Sequence, residues 1–543
     1  MLSDKPYARL LRISTHLSLC VLLASCASLK TPPYDDYIGP RPSPAYTLQK
    51  PLRVDVTPTK PMPKGPVEVT VEEAILLALE NNRSLRVERF NPSILRTFED
   101  QERAIFDPVL TGGVSGSRER GEFRSGGPTG AITDSRLSST AAEIGVSQFL
   151  PTGTEVGIDL STERTWSNRY SDQHATRAGL TVTQALLRGV GLSVNLARLR
   201  QARLDTLSSQ YELRGFAESL IARAEQAYWD YALAHQRIEI VAVSLELAED
   251  QLRETDERIK IGRLAEIELA AAKAEIALRR VDLINARNTL ATTRLRLLQL
   301  LNPPGTDLWD REVILREQPV VPDVILDEVE SHVEVALSFR PDLNQARLGV
   351  QRGDLEIMKT KNGLLPVMDL FITLGKTGYA DSFGRSVSDL DEDSYDISGG
   401  IALAYPLFNR DARARHRRAT LGRSQSMEAV ENLAQLVEVD VRTAYIEVRR
   451  TEEQVAATAA ARKLQEEKLR AEREKFRVGR STSLLVAAAQ RDLVTSQISE
   501  IQAVVDYLKA LVELHRLDGS LLERLGISAP GRKAVDLSVP QWK

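Results

Sequence analysis

The chain has 543 residues, a formal net charge of -4 and 27% charged residues, so no basic excess points to nucleic acid as a partner. Aromatic residues make up only 5% of the chain, and alanine, leucine, glutamate and arginine dominate long stretches, as in extended helices. Both cysteines, Cys20 and Cys26, lie near the start. The remaining chain therefore has no thiol pair, which excludes a disulfide or a thiolate metal centre there.

The first 25 residues are typical of an export signal. A short basic segment and an apolar run at 17–23 lead into the tetrapeptide LASC at 23–26, the order found in secretory signals. This tetrapeptide resembles the lipobox of bacterial lipoproteins, which implies removal of residues 1–25 and a covalent lipid on Cys26. Ala27 then implies sorting to the outer membrane, where an aspartate would favour inner-membrane retention. Alternatively, Cys26 is an ordinary small apolar residue of a signal peptide.

Residues 26–66 are predicted to form a proline-rich tether. Ten prolines fall between 31 and 66, and such a segment is extended and spans distance without packing. A disordered tail has nearly the same physics and differs only in whether it docks on a partner. Beyond the signal, no run of 18 apolar residues occurs, so the sequence predicts no further membrane-spanning helix.

A first structural repeat is predicted at 67–320. Thr70 and Glu73 have the spacing of a capping box, which predicts a helix from 70 to about 104 that ends before Pro108. Between 108 and 187, about four segments carry apolar residues at every second position, the pattern of strands with one apolar face. The clearest alternations are Ile144/Val146, Val156/Ile158/Leu160 and Leu180/Val182.

The first repeat ends in a long helical hairpin, predicted at 191–301. Helical periodicity continues without proline from about 191 to 261, and Gly262 then separates this helix from a second one. Apolar residues in both helices alternate spacings of four and three, so we expect the two helices to pack along heptad seams. The first seam comprises Leu213, Ala217, Leu220, Ala224, Ala227, Tyr231, Ala234, Ile238, Val241, Leu245, Ala248 and Leu252. The second comprises Ile267, Ala270, Ala274, Ala277, Val281, Ile284, Ala291, Leu295 and Leu298.

The same plan recurs at 321–528, which indicates an internal duplication. Strands are predicted at 366–406 and a second helical hairpin at 411–520. The turn sequence RIKIGR at 258–263 matches KFRVGR at 475–480, and residues 529–543 follow as a C-terminal tail. The first long helix of this hairpin carries a heptad seam at Val430, Ala434, Val437, Val441, Ala444 and Val448.

From residue 67 to about 528 the chain resembles TolC-type outer-membrane efflux proteins. The resemblance rests on the RPDL element at 340–343, on Pro108, Pro366 and Pro406 where elements join, and on the two glycine turns. It implies a mainly α fold with membrane β strands. Duplicated long antiparallel helical hairpins would form a trimeric α-barrel tunnel, and the strands would enter a shared outer-membrane β-barrel. Two membrane strands per repeat would suffice, so the resemblance does not specify which of the segments at 108–187 cross the membrane.

The function implied by the resemblance is a passive exit duct of a tripartite efflux or type I secretion system. Its partners would be two further copies in a homotrimer, a periplasmic adaptor protein, an inner-membrane transporter and outer-membrane lipid. It would need no cofactor beyond the lipid on Cys26, and it would extend from the outer membrane of a Gram-negative bacterium into the periplasm. The alternative is a non-conducting, lipid-anchored coiled-coil structural or adaptor protein. An adaptor usually has one hairpin, whereas two hairpins preceded by strands favour the duct.

The resemblance also implies two sites near the glycine turns. The adaptor would contact the tip formed by Arg258, Gly262, Arg263, Lys475, Gly479 and Arg480, although any helical hairpin needs such a glycine. The tunnel would narrow at Glu266, Glu268, Leu484 and Leu485. Because residues 484–488 contain no carboxylate, an acidic ring would be incomplete, and gating would depend more on apolar contact at the two leucines.

No pattern in the sequence indicates a catalytic or metal site. The histidines are isolated from one another along the chain and lack ligand spacing, which argues against zinc, and no phosphate loop, nucleophile elbow or catalytic carboxylate pair occurs. We therefore expect no enzyme. A basic cluster opens the long helix of the second repeat, and a solvated wall or contact with anionic lipid head groups explains it better than nucleic acid. Its members are Arg410, Arg413, Arg415, Arg417 and Arg418.

Overall fold

The computed structural model describes residues 65–124, 132–168, 171–262, 264–304, 308–323 and 325–541. The export signal with Cys26, nearly all of the tether, and Arg263 lie outside these residues. Within the described ranges, no helix combines the length and the apolar character needed to cross a membrane.

The elements follow one another in two similar series, each running from short helices through strands to a long helical hairpin. The first series comprises β1 (Val67–Val69), α1 (Val71–Asn81), α2 (Arg83–Glu88), α3 (Asn91–Arg103), β2 (Val109–Arg124), β3 (Ile132–Leu150), β4 (Thr154–Ser167), β5 (Gln173–Ala185), α4 (Leu192–Asn195), α5 (Ala197–Lys260) and α6 (Ile267–Leu301). The second comprises β6 (Val313–Leu315), α7 (Val329–Phe339), α8 (Pro341–Asn362), β7 (Val367–Ala380), α9 (Phe383–Ser388), β8 (Tyr395–Ala404), α10 (Arg410–Arg477), α11 (Ser483–Leu517) and α12 (Leu521–Arg524).

The first helical segment begins as predicted but is broken. The capping box is present: the Glu73 amide donates to the Thr70 hydroxyl at 3.1 Å, and the Thr70 amide donates to the Glu73 carboxylate at 2.9 Å. The prediction of one helix from 70 to about 104 is wrong, because three helices occupy this stretch. Asn82 adopts an extended conformation and accepts hydrogen bonds from the amides of Ser84 and Leu85. Its side chain thus caps a new helix instead of continuing the old one.

Six strands form one antiparallel sheet in the order β2-β3-β4-β5-β7-β8. The four segments predicted between 108 and 187 are all strands, and the second series adds two. β5 pairs with β7, so the two series meet in the middle of the sheet. β2 and β8 are left as the edge strands.

One face of this sheet is apolar across all six strands. Residues directly opposite each other in successive strands form the row Leu110, Val146, Ile158, Leu180, Leu374 and Ile397. The next row, on the opposite face, contains Thr111, Gly145, Asp159, Gly179, Gly375 and Asp396. On that polar face the Arg177 guanidinium lies 3.5 Å from Asp159 and 2.9 Å from Asp396. The sheet thus separates an apolar face from a polar one, as alternation predicts.

The two long helical hairpins match their predictions closely. α5 has 64 residues, or about 96 Å at 1.5 Å per residue, and α10 has 68. α5 packs against both α6 and α11, and α11 packs against α10. The helical layer therefore has the order α6-α5-α11-α10, with α6 and α10 on its flanks.

The heptad seams differ in their outcome. On α5 and α10 most predicted seam residues are buried, Ala224, Val241, Val437 and Val448 among them. The predicted seam of α6 is wrong for the single chain, because Ile267, Val281 and Ile284 are 78%, 54% and 64% exposed. α6 buries another face, with Ala272, Ile276 and Ala286. Periodicity reveals an apolar stripe but not which partner covers it.

The base of the helical layer is closed by elements that the sequence did not reveal. β1 pairs in parallel with β6, although more than 240 positions separate them along the chain, since Val67 lies opposite Val313. The C-terminal tail is also docked, because the Val535 amide donates to Asn344 Oδ1 at 2.8 Å and Gln351 Nε2 donates to the Asp536 carbonyl at 3.0 Å. Both contacts join segments that are distant in sequence, so local sequence patterns could not predict them.

Candidate functional site

The two glycine turns have the same backbone geometry. Gly262 has φ 72° and Gly479 has φ 75°, a left-handed conformation that costs other residues about 1 kcal/mol. The Gly262 amide donates to the Ile259 carbonyl at 2.9 Å, and the Gly479 amide donates to the Phe476 carbonyl at 3.1 Å. A side chain at either glycine would meet no atom within 4 Å. The glycines are therefore required by the turn itself, and the space beside them is open.

The two turns lie next to each other and are joined by Arg258. Its guanidinium donates to the Phe476 carbonyl at 3.1 Å and lies 4.5 Å from the centre of the Phe476 ring. Phe476 is buried although it stands at the end of a helix. A groove of ≈ 930 Å³ runs between the turns, and Arg258, Phe476 and Gly479 are among its lining residues. Arg258 of one turn and Gly479 of the other thus lie along one groove, and Phe476 is a member that sequence reasoning missed.

Some of the charged side chains at this tip form ion pairs or hydrogen bonds with neighbouring residues of the same chain. Lys475 Nζ lies 2.6 Å from Glu472, which also accepts a hydrogen bond from the Ser481 hydroxyl at 2.8 Å. These hydrogen bonds lower the pKa of the Glu472 carboxyl. Arg480 is exposed, whereas Arg258 is half-buried. Arg480 is accordingly the tip cation most open to a partner among the described residues, and Arg258 holds the turns together.

The predicted constriction residues fall into two groups. The Ser483 hydroxyl donates to the Glu268 carboxylate and so connects α6 to α11. Leu484 and Leu485 follow at once and are 59% and 52% exposed, whereas Glu266 is exposed at the start of α6. The structure therefore joins Glu268 to the leucine segment and leaves Glu266 apart from it.

One buried charge cluster near the constriction had no sequence signal. The Arg279 guanidinium lies 2.8 Å from Glu275, and Arg491 of α11 lies 3.8 Å from the same carboxylate. Arg279 and Glu275 form an ordinary i,i+4 pair by sequence, which normally lies on an exposed face. Their burial follows only from the packing of α11 against α6.

The basic cluster at the start of α10 is exposed, as expected for a solvated wall or a lipid head-group contact. All five of its arginines are exposed. The Arg410 guanidinium lies 5.1 Å from the centre of the Phe408 ring, and Arg415 lies 2.9 Å from Asp411.

The expectation that the histidines are isolated is wrong for one pair. His332 Nδ1 lies 2.8 Å from Asp518 Oδ2, and His515 Nδ1 lies 3.7 Å from the same oxygen. The two imidazole rings are 6.2 Å apart. His332 and His515 are 183 positions apart in the chain, so no ligand spacing could indicate their convergence.

Comparisons with known proteins agree with this architecture. A family model for outer membrane efflux proteins matches residues 74–303 and 333–520. TolC of Escherichia coli strain K12 is 23% identical over 263 residues, 46% of this chain and 51% of TolC, so the matched region spans about half of that relative. The proteases secretion protein PrtF of Dickeya chrysanthemi is 20% identical over 391 residues, 68% of this chain and 81% of PrtF.

Solved structures share the fold. The outer-membrane channel OprN has a TM-score of 0.62 and 18% identity, covering 89% of this chain and 99% of OprN. The outer membrane protein VceC of Vibrio cholerae has a TM-score of 0.60 and 15% identity, covering 83% of this chain and 96% of VceC. The helical hairpins and the antiparallel sheet are thus those of a known architecture, and the family model covers most of the chain. The chain therefore belongs to the outer membrane efflux protein family.

Proposed function

We propose that this chain is the outer-membrane exit duct of a tripartite efflux or type I secretion system and acts as a passive homotrimer. The observation that carries the proposal is that, among the described residues of a single chain, both flanking helices expose apolar residues and both edge strands have one side without a strand partner. The order α6-α5-α11-α10 and the strand order β2 to β8 each end in surfaces suited to a further copy. Repetition of one such contact closes a ring.

The helical flanks carry the apolar residues that such a contact needs. Ile267, Val281 and Ile284 form an exposed stripe on α6. On α10, Leu436, Val439 and Ile446 recur at helical spacing and are exposed as well. Packing of α6 in one copy against α10 in the next would bury both stripes, and each fully buried aliphatic side chain contributes about 1.5–3 kcal/mol.

The sheet edges support the same arrangement. The outer edges of β2 and β8 have backbone groups without a strand partner in the single chain. In lipid each unsatisfied backbone group costs several kcal/mol, so β2 of one copy would pair with β8 of the next. The apolar row from Leu110 to Ile397 would then face lipid, and the row containing Asp159 and Asp396 would face water.

The periplasmic end of the duct would be the tip with the glycine turns. The open space beside Gly262 and Gly479 allows a helical hairpin of an adaptor to approach the backbone. Arg480 would supply an exposed cation to that contact, while Glu268, Leu484 and Leu485 would narrow the tunnel behind it. The inner-membrane pump would provide the energy for transport.

A lipid on Cys26 would anchor each copy in the outer membrane. The lipobox-like segment and the proline-rich tether support this part of the proposal. Metabolic labelling with a palmitate analogue checks it: wild type is expected to be labelled, and Cys26→Ser is expected to lose the label. Equal labelling of both proteins would overturn the anchor.

Two experiments test the duct. In planar bilayers, purified wild-type trimers or their Glu268→Gln variant are expected to show ion conductance, and a lack of conductance in both would favour the non-conducting alternative. In cells, a photo-crosslinker at position 263 or 480 is expected to capture a periplasmic adaptor, whereas one at the exposed loop position 320 is not. Capture of neighbouring copies alone from 263 and 480 would remove the assignment of the tip.

A further inference from the structure

Two histidines and an aspartate converge at the base of the second hairpin, away from the proposed tip. His332 lies on α7, His515 lies in the last turn of α11, and Asp518 follows that helix. One ligand atom of each residue lies within 4.8 Å of the others. Asp518 is 1% and His332 4% exposed, and the cluster is held by two elements that are distant in the chain.

The distances within the cluster suit a small cation. The Asp518 Oδ2 atom is 2.8 Å from His332 Nδ1 and 3.7 Å from His515 Nδ1. Metal–ligand bonds of about 2.0–2.1 Å in a tetrahedral zinc site place neighbouring ligand atoms about 3.3 Å apart. These two distances lie on either side of 3.3 Å, so side-chain adjustments of about half an ångström would bring both to the spacing of a tetrahedral site.

His332 Nδ1 is hydrogen-bonded to Asp518, whereas His515 Nδ1 is available to an ion. Asp518 Oδ1 already accepts the Ser520 amide at 2.8 Å, which fixes the carboxylate and directs Oδ2 to the histidines. Among the described residues, His515 Nδ1 has no hydrogen-bond partner although it is buried, and neither has His332 Nε2. A carboxylate oriented by a second hydrogen bond is the usual support of a metal ligand. Unpaired buried nitrogens are costly, and a bound ion would satisfy His515 Nδ1.

The donor atoms also suit a cation. Two imidazoles and one carboxylate are borderline nitrogen and oxygen donors, which suit Zn²⁺ and neighbouring transition metals and do not suit Mg²⁺ or Ca²⁺.

We propose that His332, His515 and Asp518 form a three-ligand site for a divalent transition metal ion of the zinc type. The ion would replace the proton between His332 Nδ1 and Asp518 and would cross-link α7 to the end of α11. Its role is structural, because it joins α7, the first helix of the second series, to the end of the long hairpin helix α11. The site does not depend on the duct proposal, since its ligands lie within one chain and outside the tip.

Titration of the full-length protein in detergent with ZnCl₂, after removal of metal by a chelator, tests the site. We expect one ion per chain, and we expect His515→Asn to weaken binding by at least about tenfold, the scale on which metal sites respond to altered surroundings. Bound Co²⁺ should give the strong visible absorption of a tetrahedral centre.

His235→Asn is the matched control. His235 is exposed and lies 3.5 Å from Glu239 on the same helix face, so it represents adventitious surface binding and should leave the affinity unchanged. His332→Asn should weaken Zn²⁺ binding as His515→Asn does. If this buried variant does not fold, the Zn²⁺ affinity of His515→Asn, at the more exposed position, tests the site. Wild-type protein that binds no Zn²⁺, or binding that survives His515→Asn or is lost equally in His235→Asn, would overturn the site.

Discussion

The most consequential single residue outside the tip is Arg214, whose side chain is buried in α5. It lies 3.0 Å from Glu218 and 2.8 Å from Glu523, and it also donates to the Gly519 carbonyl at 3.2 Å. One guanidinium thus holds two carboxylates and a helix-terminal carbonyl. The contacts connect α5 to the segment after α11, which no helical periodicity indicates.

Loss of Arg214 should therefore be costly. Arg214→Leu leaves the buried Glu218 carboxyl and the Gly519 carbonyl without this hydrogen-bond donor, and each buried polar group without a partner costs about 1–3 kcal/mol. We expect a clear decrease in the free energy of unfolding, measured by denaturant titration followed by circular dichroism. Arg237→Leu, at an exposed position of the same helix, should change it by less than about 0.5 kcal/mol. Equal effects of the two substitutions would contradict the role of the buried pair.

Glu218 gives stability a dependence on pH. Burial raises the pKa of its carboxyl from 4.5 to about 8, although Arg214 acts in the opposite direction. The folded chain therefore binds this proton more tightly than the unfolded chain does. The stabilisation is fully present below about pH 4.5 and is lost as pH rises through 8.

The matched substitution Glu218→Gln removes this titration while keeping the shape of the side chain. We expect thermal unfolding midpoints of the wild type to fall between pH 5 and 8.5 relative to those of Glu218→Gln, whose own profile should be flatter in this window. Parallel profiles of the two proteins would show that Glu218 keeps its ordinary pKa.

At the scale of elements, a substitution at a glycine turn tests whether the turn geometry shapes the proposed adaptor contact. Gly479→Ala places a Cβ in the left-handed region at φ 75° without any steric contact, so its cost is conformational, about 1 kcal/mol. We expect a shifted turn and reduced capture of the adaptor by a crosslinker at position 480. Gly422→Ala in α10 also meets open space but has an ordinary helical conformation, and it should be neutral or slightly stabilising. If both variants capture the adaptor like wild type, the turn does not shape the contact.

The elements differ in how closely the local sequence pattern predicts their bounds. α5 ends and α10 begins within one residue of the predicted bounds, because long heptad periodicity specifies these helices. α11 ends three residues before its predicted bound. The three helices at 71–103 were predicted as one, since Asn82 competes with helix continuation and also donates from Nδ2 to the Leu300 carbonyl at 3.1 Å. The competing contact comes from the end of α6, so it is invisible in the local sequence.

At the scale of the whole molecule, the exposed stripe of α6 provides a test of the proposed homotrimer. A double substitution, Val281→Glu with Ile284→Glu, would bury two carboxylates in an apolar contact, each at a cost of several kcal/mol. We expect the trimer to be replaced by monomer at micromolar concentration, as measured by light scattering in detergent. The control is Val243→Glu, an exposed apolar position on α5 outside the seam, which should keep the trimer.

The outcomes separate two explanations of the stripe. Persistence of the trimer in the double variant would mean that α6 does not form the contact between copies. Dissociation in Val243→Glu as well would indicate a general sensitivity to added charge. Only the selective result supports the packing of α6 against α10 of the next copy.

Local periodicity and a few fixed residues determined most of the architecture. Period-two segments, heptad stripes and the repeated glycine turns predicted strands at 108–187 and 366–406 and two hairpins, since each is set by residues near one another in the chain. Tertiary structure decided what these surfaces meet. Phe476 under Arg258, the parallel pairing of β1 with β6, and His332 beside His515 each join distant segments. A side chain's spacing reveals the face on which it lies, whereas its partner depends on how whole elements pack.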